Sequence, residues 1–299
     1  MSGHRDDAAV QESNKGTLAA ICAFSLWGAL PVFWKLLEDI PVMETTAHRV
    51  VWTLALLLTF LSCNGRTNKI TGALQSPRTV LTHALAALCL TSNWLIYVWA
   101  TFNDRILEGA LGYYINPFIY ILLGCMFLGE KHSRMQMVAI AVAAAGVALQ
   151  FPAVKGVPWA ALGLAISFAG YGMIRKKSPL GSFDGLTLEM GIIFPFALIY
   201  LCLINPHDSA FGSNSNATWL LVATAAATAT PLLFFARGAK SISLSLLGIL
   251  QFIGPTGQLL IGWLVYNEPM PLLRLLSFTL IWVAVIIYII TIKHHALKK

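Results

Sequence analysis

Apolar residues in this chain do not recur at every second or every third to fourth position. They run on in blocks of about twenty, separated by short polar breaks. A helix needs about that length to cross the hydrocarbon layer of a bilayer. Ten such blocks are read, at 16–37, 44–63, 79–100, 106–128, 134–151, 157–174, 184–204, 217–236, 243–266 and 272–292. Breakers fall between them, among them Asn64-Gly65, Pro152 and Asn205-Pro206. The pattern predicts an all-α integral membrane protein of ten transmembrane helices. Residues 1–15 and 293–299 remain as short tails, and the loops are too short for a soluble domain.

Charge then orients the helices. With the N-terminus in the cytoplasm, the cytoplasmic segments hold Arg5, Lys15, Arg66, Lys69, Arg78, Lys131, Arg134, Arg175, Lys176, Lys177, Arg237, Lys240, Lys293, Lys298 and Lys299. The opposite side holds Lys35, Arg105, Lys155 and Arg274, and Arg49 lies within a span. Lys and Arg collect in cytoplasmic loops, so both tails are read as cytoplasmic and the span number as even.

Composition agrees: the chain is 57% hydrophobic and 11% charged, with a mean hydropathy of +0.72. Soluble domains carry roughly 45–50% apolar and about 25% charged residues. The net charge of +7 is therefore accounted for by topology, and a nucleic-acid partner is excluded. Five scattered cysteines lack metal-ligand spacing and read as packing residues. No Gly-rich loop ending in Gly-Lys-Ser/Thr is present, which excludes ATP-driven transport by this chain. No cofactor or metal is expected.

The two halves overlay at an offset of 138: Asn116-Pro117, Gly124 and Glu130 meet Gly254-Pro255, Gly262 and Glu268. Upstream, Phe24 and Trp27-Gly28 match Phe168 and Tyr171-Gly172. The repeats are 16–151 and 157–292. Five spans is an odd number, so the second repeat enters the membrane from the other face. Inverted repeats of this kind build secondary transporters, with the solute site near the midplane.

Several stretches carry a closer likeness: Thr46-Ala47-His48-Arg49-Val50-Val51-Trp52, Asn93-Trp94, Glu108 to Pro117, Leu128-Gly129-Glu130, Tyr171-Gly172 with Arg175-Lys176-Lys177, and Gln251 to Pro255. In these the chain resembles the drug/metabolite transporter superfamily and, among its EamA-type members, the RarD group of bacterial inner-membrane proteins. The resemblance implies ten helices, cytoplasmic termini, and export or exchange of a small organic solute.

Polar groups within spans are costly and mark candidate sites. His48 and Arg49 lie about one turn inside the second span, after Glu44. Arg49 is expected either to meet an anionic group of the solute or to form an ion pair with Glu189 or Glu108. Asn93, Trp94 and Tyr97, with Tyr113, Tyr114, Asn116, Gln251 and Phe252, offer aromatic walls and amides suited to a flat organic solute. The alternative for each is plain packing or interhelical bonding. Trp27 and Tyr171 are expected to close the cavity from either side. Pro117 and Pro255 read as hinges or static kinks. Glu130 reads as a helix cap or a gate. Glu108, Glu189 and Glu44 are the coupling or ion-pair candidates. The reading is a secondary active transporter of the bacterial inner membrane working by alternating access, coupled to protons or to exchange, as a monomer or homodimer. Its rivals are a channel or facilitator, and an intramembrane enzyme.

Overall fold

The computed structural model describes residues 3–65, 67–103, 105–153, 158–204, 209–267 and 270–296. Among these residues the chain is helical throughout, in twelve α-helical segments: α1 (Gly3–Lys35), α2 (Val42–Cys63), α3 (Thr67–Leu74), α4 (Pro77–Phe102), α5 (Ile106–Leu128), α6 (Arg134–Ala148), α7 (Trp159–Lys177), α8 (Ser182–Leu203), α9 (Ser215–Ser241), α10 (Leu244–Gln251), α11 (Ile253–Leu264) and α12 (Leu272–Ala296). Eight helical stretches are long and apolar enough to cross a membrane, with α10 and α11 counted as one. Two expected spans fall short of that mark. Helix α6 has only 15 residues, and α7 carries Arg175, Lys176 and Lys177 in its last turn.

Three further differences from the sequence reading have local causes. Residues 3–15, expected as a tail, form the first turns of α1. Extending a helix costs far less than nucleating one, and Glu12 is held by Arg237 and Ser241 on α9. The amphipathic α3 fills a loop in which no helix was expected. The ninth span breaks at Phe252, because Pro255 has no N–H to offer the Gln251 carbonyl. Pro117, in the matching span, leaves α5 continuous.

Helix ends are satisfied locally. Ser133 and Gln136 form a reciprocal capping box at the start of α6. Gly129 closes α5 in the left-handed region at φ 66°, which a residue without Cβ adopts at no steric cost. Bulky apolar side chains such as Phe196, Leu203 and Trp219 point outward, 73%, 79% and 68% exposed, while many alanines and several polar groups share the interior with Leu and Phe. An apolar exterior with small residues where helices meet suits a lipid surround.

The chain divides into two compact units, residues 1–91 with 170–241 and residues 92–169 with 242–299. Each draws on both halves of the sequence, and the divisions fall within α4 and α7. In the first unit α1 packs along α9, and α2 packs against both α8 and α9. In the second unit α6 packs along α12 and α5 along α10. Small residues permit the closest approaches. A Cβ on Gly248 would stand 2.8 Å from the Pro117 carbonyl, and one on Gly146 would stand 2.9 Å from that of Ser277.

Candidate functional site

Within the first unit, the most concentrated buried chemistry lies where α4, α7 and α8 meet. Glu189 on α8 accepts from Arg175 Nη1 at 3.0 Å and from the Tyr171 hydroxyl at 3.0 Å, and its Oε1 lies 2.8 Å from His83 Nδ1. Glu189, Arg175, His83 and Tyr171 are all sealed from solvent. Ser178 Oγ is 2.8 Å from the other His83 nitrogen, and Arg175 Nη2 donates to the Gly181 and Ser182 carbonyls. Gly185 makes the arrangement possible, since a Cβ there would overlap the Arg175 guanidinium. The expected pairing of Arg49 with Glu189 is therefore corrected: Arg175 and His83 share Glu189 Oε1, and Tyr171 holds Oε2. Sequence reasoning missed Arg175 because it opens a Lys/Arg run that reads as surface charge. His83 lies alone in an apolar block and gave no signal.

Arg49 donates from Nε to Thr228 Oγ1 at 3.0 Å and lies over the Trp34 ring, 4.9 Å from its centroid. Trp27 and Tyr171 flank a common neighbour, Phe235, at ring separations of 5.6 and 5.8 Å. At the far end of α2, Glu44 Oε1 accepts from the Ser209 hydroxyl and from the Ala210 and Phe211 N–H groups. His48 lies under the Phe211 ring at 4.8 Å.

In the second unit the amides serve as ties between helices. Asn93 donates to the Leu164 carbonyl and to Ser167, Asn116 to the Ala165 carbonyl, and Tyr120 to the Phe168 carbonyl. All three thus hold the backbone of α7. Asn116 Oδ1 and Gln251 Oε1 are buried with no partner among the described residues, which buried amides seldom tolerate. Tyr97 and Tyr113 lie 6.1 Å apart, with Tyr97 44% exposed, and Trp94 is half-buried nearby in sequence. Tyr114 packs edge-on to Phe278, and Phe252 to Phe118. Pro117 and Pro255 are buried.

Glu108, expected as a possible partner of Arg49, lies with Oε2 3.0 Å from Arg105 Nε and accepts from the Ala160 N–H. Glu130 accepts from the Leu244 and Ser245 N–H groups and so caps α10. Its repeat counterpart, Glu268, lies outside the described residues. His132 touches Ser245 Oγ at 3.0 Å and Cys125 Sγ at 3.5 Å. Burial lowers the His132 pKa, and the Glu130 charge opposes this in part. No group of three or more metal-ligating side chains stands together among the described residues.

Residues 14–151 match the model of the EamA-like transporter family. Over 285 residues the chain is 42% identical to the uncharacterized transporter YojE of Bacillus subtilis, covering 93% of this chain and 94% of the relative. It is 36% identical to protein RarD of Escherichia coli over 93% of this chain and 95% of that one. It is 28% identical to the chloramphenicol-sensitive protein RarD of Pseudomonas aeruginosa over 92% and 93%. A crystal structure with 18% sequence identity aligns over 91% of this chain and 96% of its own, with a TM-score of 0.70. That likeness speaks for the fold alone.

Proposed function

We propose that this chain, which belongs to the EamA-like transporter family and within it to the RarD group, is a secondary active transporter built from two inverted five-helix repeats. It moves a small organic solute across the bacterial inner membrane by alternating access. The ten spans are α1, α2, α4, α5 and α6 in the first repeat, and α7, α8, α9, α10 with α11, and α12 in the second.

The observation that carries this reading is the neighbour pattern of the helices. Exchanging the repeats turns α2–α9 contact into α8–α4 contact, which His83 and Glu189 make. It turns α1–α9 into α7–α4, which Asn93 and Leu164 make. The α2–α8, α5–α10 and α6–α12 pairs map onto themselves. These pairs map onto one another as a two-fold relation between repeats requires, which supports the reading. The same relation is what lets one structure present its site to either face.

Proton coupling is assigned to Glu189 rather than to Glu44 or Glu108. Tyr171, Glu189, His83 and Ser178 form one row of hydrogen-bonded titratable or hydroxyl groups. Glu44 is held by the Ser209 hydroxyl and two backbone N–H groups, and Glu108 by Arg105 and the Ala160 N–H, partners that do not exchange a proton near neutral pH. The amides Asn93, Asn116 and Gln251, with Tyr113, are assigned to the solute path.

The test is counterflow in proteoliposomes, using a solute that raises the melting temperature of the purified protein in a metabolite panel. Saturable counterflow supports a carrier, whereas flux that does not saturate supports the channel reading. Glu189→Gln is expected to keep exchange and lose pH-gradient-driven accumulation. Equal loss of both overturns the coupling assignment.

A further inference from the structure

Helix α2 of the first unit carries an unusual set of polar atoms on one face. Glu44, His48 and Trp52 are spaced by four residues, so they stack along one side of the helix. Glu44 Oε2, both His48 ring nitrogens and Trp52 Nε1 are buried and accept or donate no hydrogen bond among the described residues, although His48 Nε2 stands 3.9 Å from Glu44 Oε1. Glu44 is sealed from solvent and His48 is 6% exposed. Buried polar groups are almost always paired, so four unpaired atoms on one face call for a specific cause.

The group that covers them is an aromatic ring. Phe211 stacks on the His48 imidazole at 4.8 Å with 23° between planes, and lies 5.8 Å from the Trp52 ring. Phe211 contributes no polar atom from its side chain and is itself 38% exposed. Its segment, Ser209 to Phe211, is fastened to the helix by three donors that all reach one atom, Glu44 Oε1. Ala210 and Ser213 of the same loop also line an open cleft of about 630 Å³.

We infer that Ser209–Phe211 is a latched strap over a solute subsite on α2, with the Phe211 ring standing where the flat ring of a solute binds. This deepens the transport reading above and rests on it. The atoms the strap leaves unpaired define the ligand chemistry. Trp52 Nε1–H and one His48 N–H need an acceptor, while Glu44 Oε2 and the other His48 nitrogen need a donor. A planar heteroaromatic ring bearing a carboxamide, or an equivalent donor–acceptor edge, supplies both. An aromatic carboxylate supplies acceptors only and meets Glu44 with like charge. A solute N–H that reaches Glu44 Oε2 leaves the three strap donors on Oε1, so the Phe211 ring can give way while the segment stays anchored. The ligand thereby binds the open state in preference, as any ligand-driven opening requires.

The test uses the full-length protein with nicotinamide as probe and nicotinate as its acceptor-only control. Closure by Phe211 taxes apparent affinity by the fraction of protein that is open. Phe211→Ala removes the ring but keeps the backbone N–H groups that hold Glu44, so the strap remains anchored. In melting-temperature titrations, Phe211→Ala is expected to bind nicotinamide at least about fivefold more tightly than the unaltered chain. Nicotinate is expected to shift neither, and Glu44→Gln combined with Phe211→Ala is expected to lose the gain. Equal affinity in Phe211→Ala and the unaltered chain, or no binding in either, overturns the subsite. Counterflow of labelled nicotinamide, against protein-free liposomes as blank, separates the two claims. A gain in binding without counterflow upholds the subsite and counts against transport. Counterflow without the gain upholds transport and overturns the subsite.

Discussion

Arg175 Nη1 lies 3.0 Å from Glu189 Oε1, with both side chains fully buried, fourteen residues apart on two successive helices. A charge there cannot rely on water. Removing one member leaves the other uncompensated, at a cost of about 3–5 kcal/mol. Removing both, as Arg175→Met with Glu189→Leu, costs much less, because apolar replacements of similar volume restore packing. A double-mutant cycle on melting temperature is expected to show strong coupling between these positions. Additive effects would mean that the pair is held by other contacts.

Gly185 and Gly191 lie six residues apart on α8 and are expected to respond in opposite directions. A Cβ at Gly185 runs into the Arg175 guanidinium, whereas one at Gly191 meets nothing within 4 Å. Gly191→Ala removes a flexible helix-interior glycine and is expected to be neutral or to gain up to about 1 kcal/mol. Gly185→Ala is expected to lower the melting temperature by displacing Arg175 from Glu189. Thermal unfolding of the two variants side by side decides it, and a neutral Gly185→Ala would show that the guanidinium can be seated elsewhere.

The proposed inverted arrangement makes a prediction about topology. Single cysteines at Lys177 and Ser213, both exposed, in a chain whose five cysteines are replaced by alanine, are expected to label from opposite faces of the membrane. Lys177 is expected at the cytoplasmic face and Ser213 at the outer one. Labelling from the same face overturns both the ten-span arrangement and the inverted repeat.

The amides separate structural ties from solute contacts. Asn93→Ala removes two interhelical bonds to α7 and is expected to cost about 1 kcal/mol. Gln251 Oε1 has no partner among the described residues, so Gln251→Ala gives up no structural bond from that oxygen there. It is expected to leave the melting temperature nearly unchanged and to reduce solute binding. Wild-type binding by Gln251→Ala would remove that residue from the solute path.

His132 gives the α5–α10 junction a pH dependence. Burial lowers its pKa from 6.5 in the folded chain, so the unfolded chain binds more protons as the pH falls through that region. The contribution is present above about 6.5 and lost as pH falls below it. Glu130, Ser245, Cys125 and Tyr288 surround the ring. Melting temperature is expected to drop between pH 7.5 and 5.5, and His132→Gln to flatten part of that drop. An unchanged slope would place the dependence on other groups.

Much of the site was legible only in outline. Glu189 was visible as a carboxylate inside a span, and Tyr171 as an aromatic in register with Trp27. Their partners were not, because His83 carries no local pattern and Arg175 is indistinguishable in sequence from the surface lysines beside it. Asn93 and Asn116 were visible as amides that need partners, but which carbonyl each reaches depends on how α7 is turned. The break at Phe252 was implied by Gly254-Pro255, yet the same proline logic leaves α5 unbroken at Pro117. A missing N–H sets where a helix can break, and packing against neighbours sets whether it does.

The sequence by itself determined that the chain is helical and membrane-embedded, and it carried the expectation of a repeat, because run length, charge bias and register are properties of order along a chain. Hydrocarbon admits few backbone solutions, and a run of twenty apolar residues selects the helix without reference to any neighbour. Only the tertiary structure decided which charge meets which. Arg175 rather than Arg49 holds Glu189 because Gly185 leaves space for one guanidinium. Phe211, a loop residue with no polar signal, covers His48 because three N–H and O–H donors of its segment converge on Glu44. These pairings join residues 14 to 167 positions apart, and over such separations the outcome is fixed by shape, space and the need to pair every buried charge.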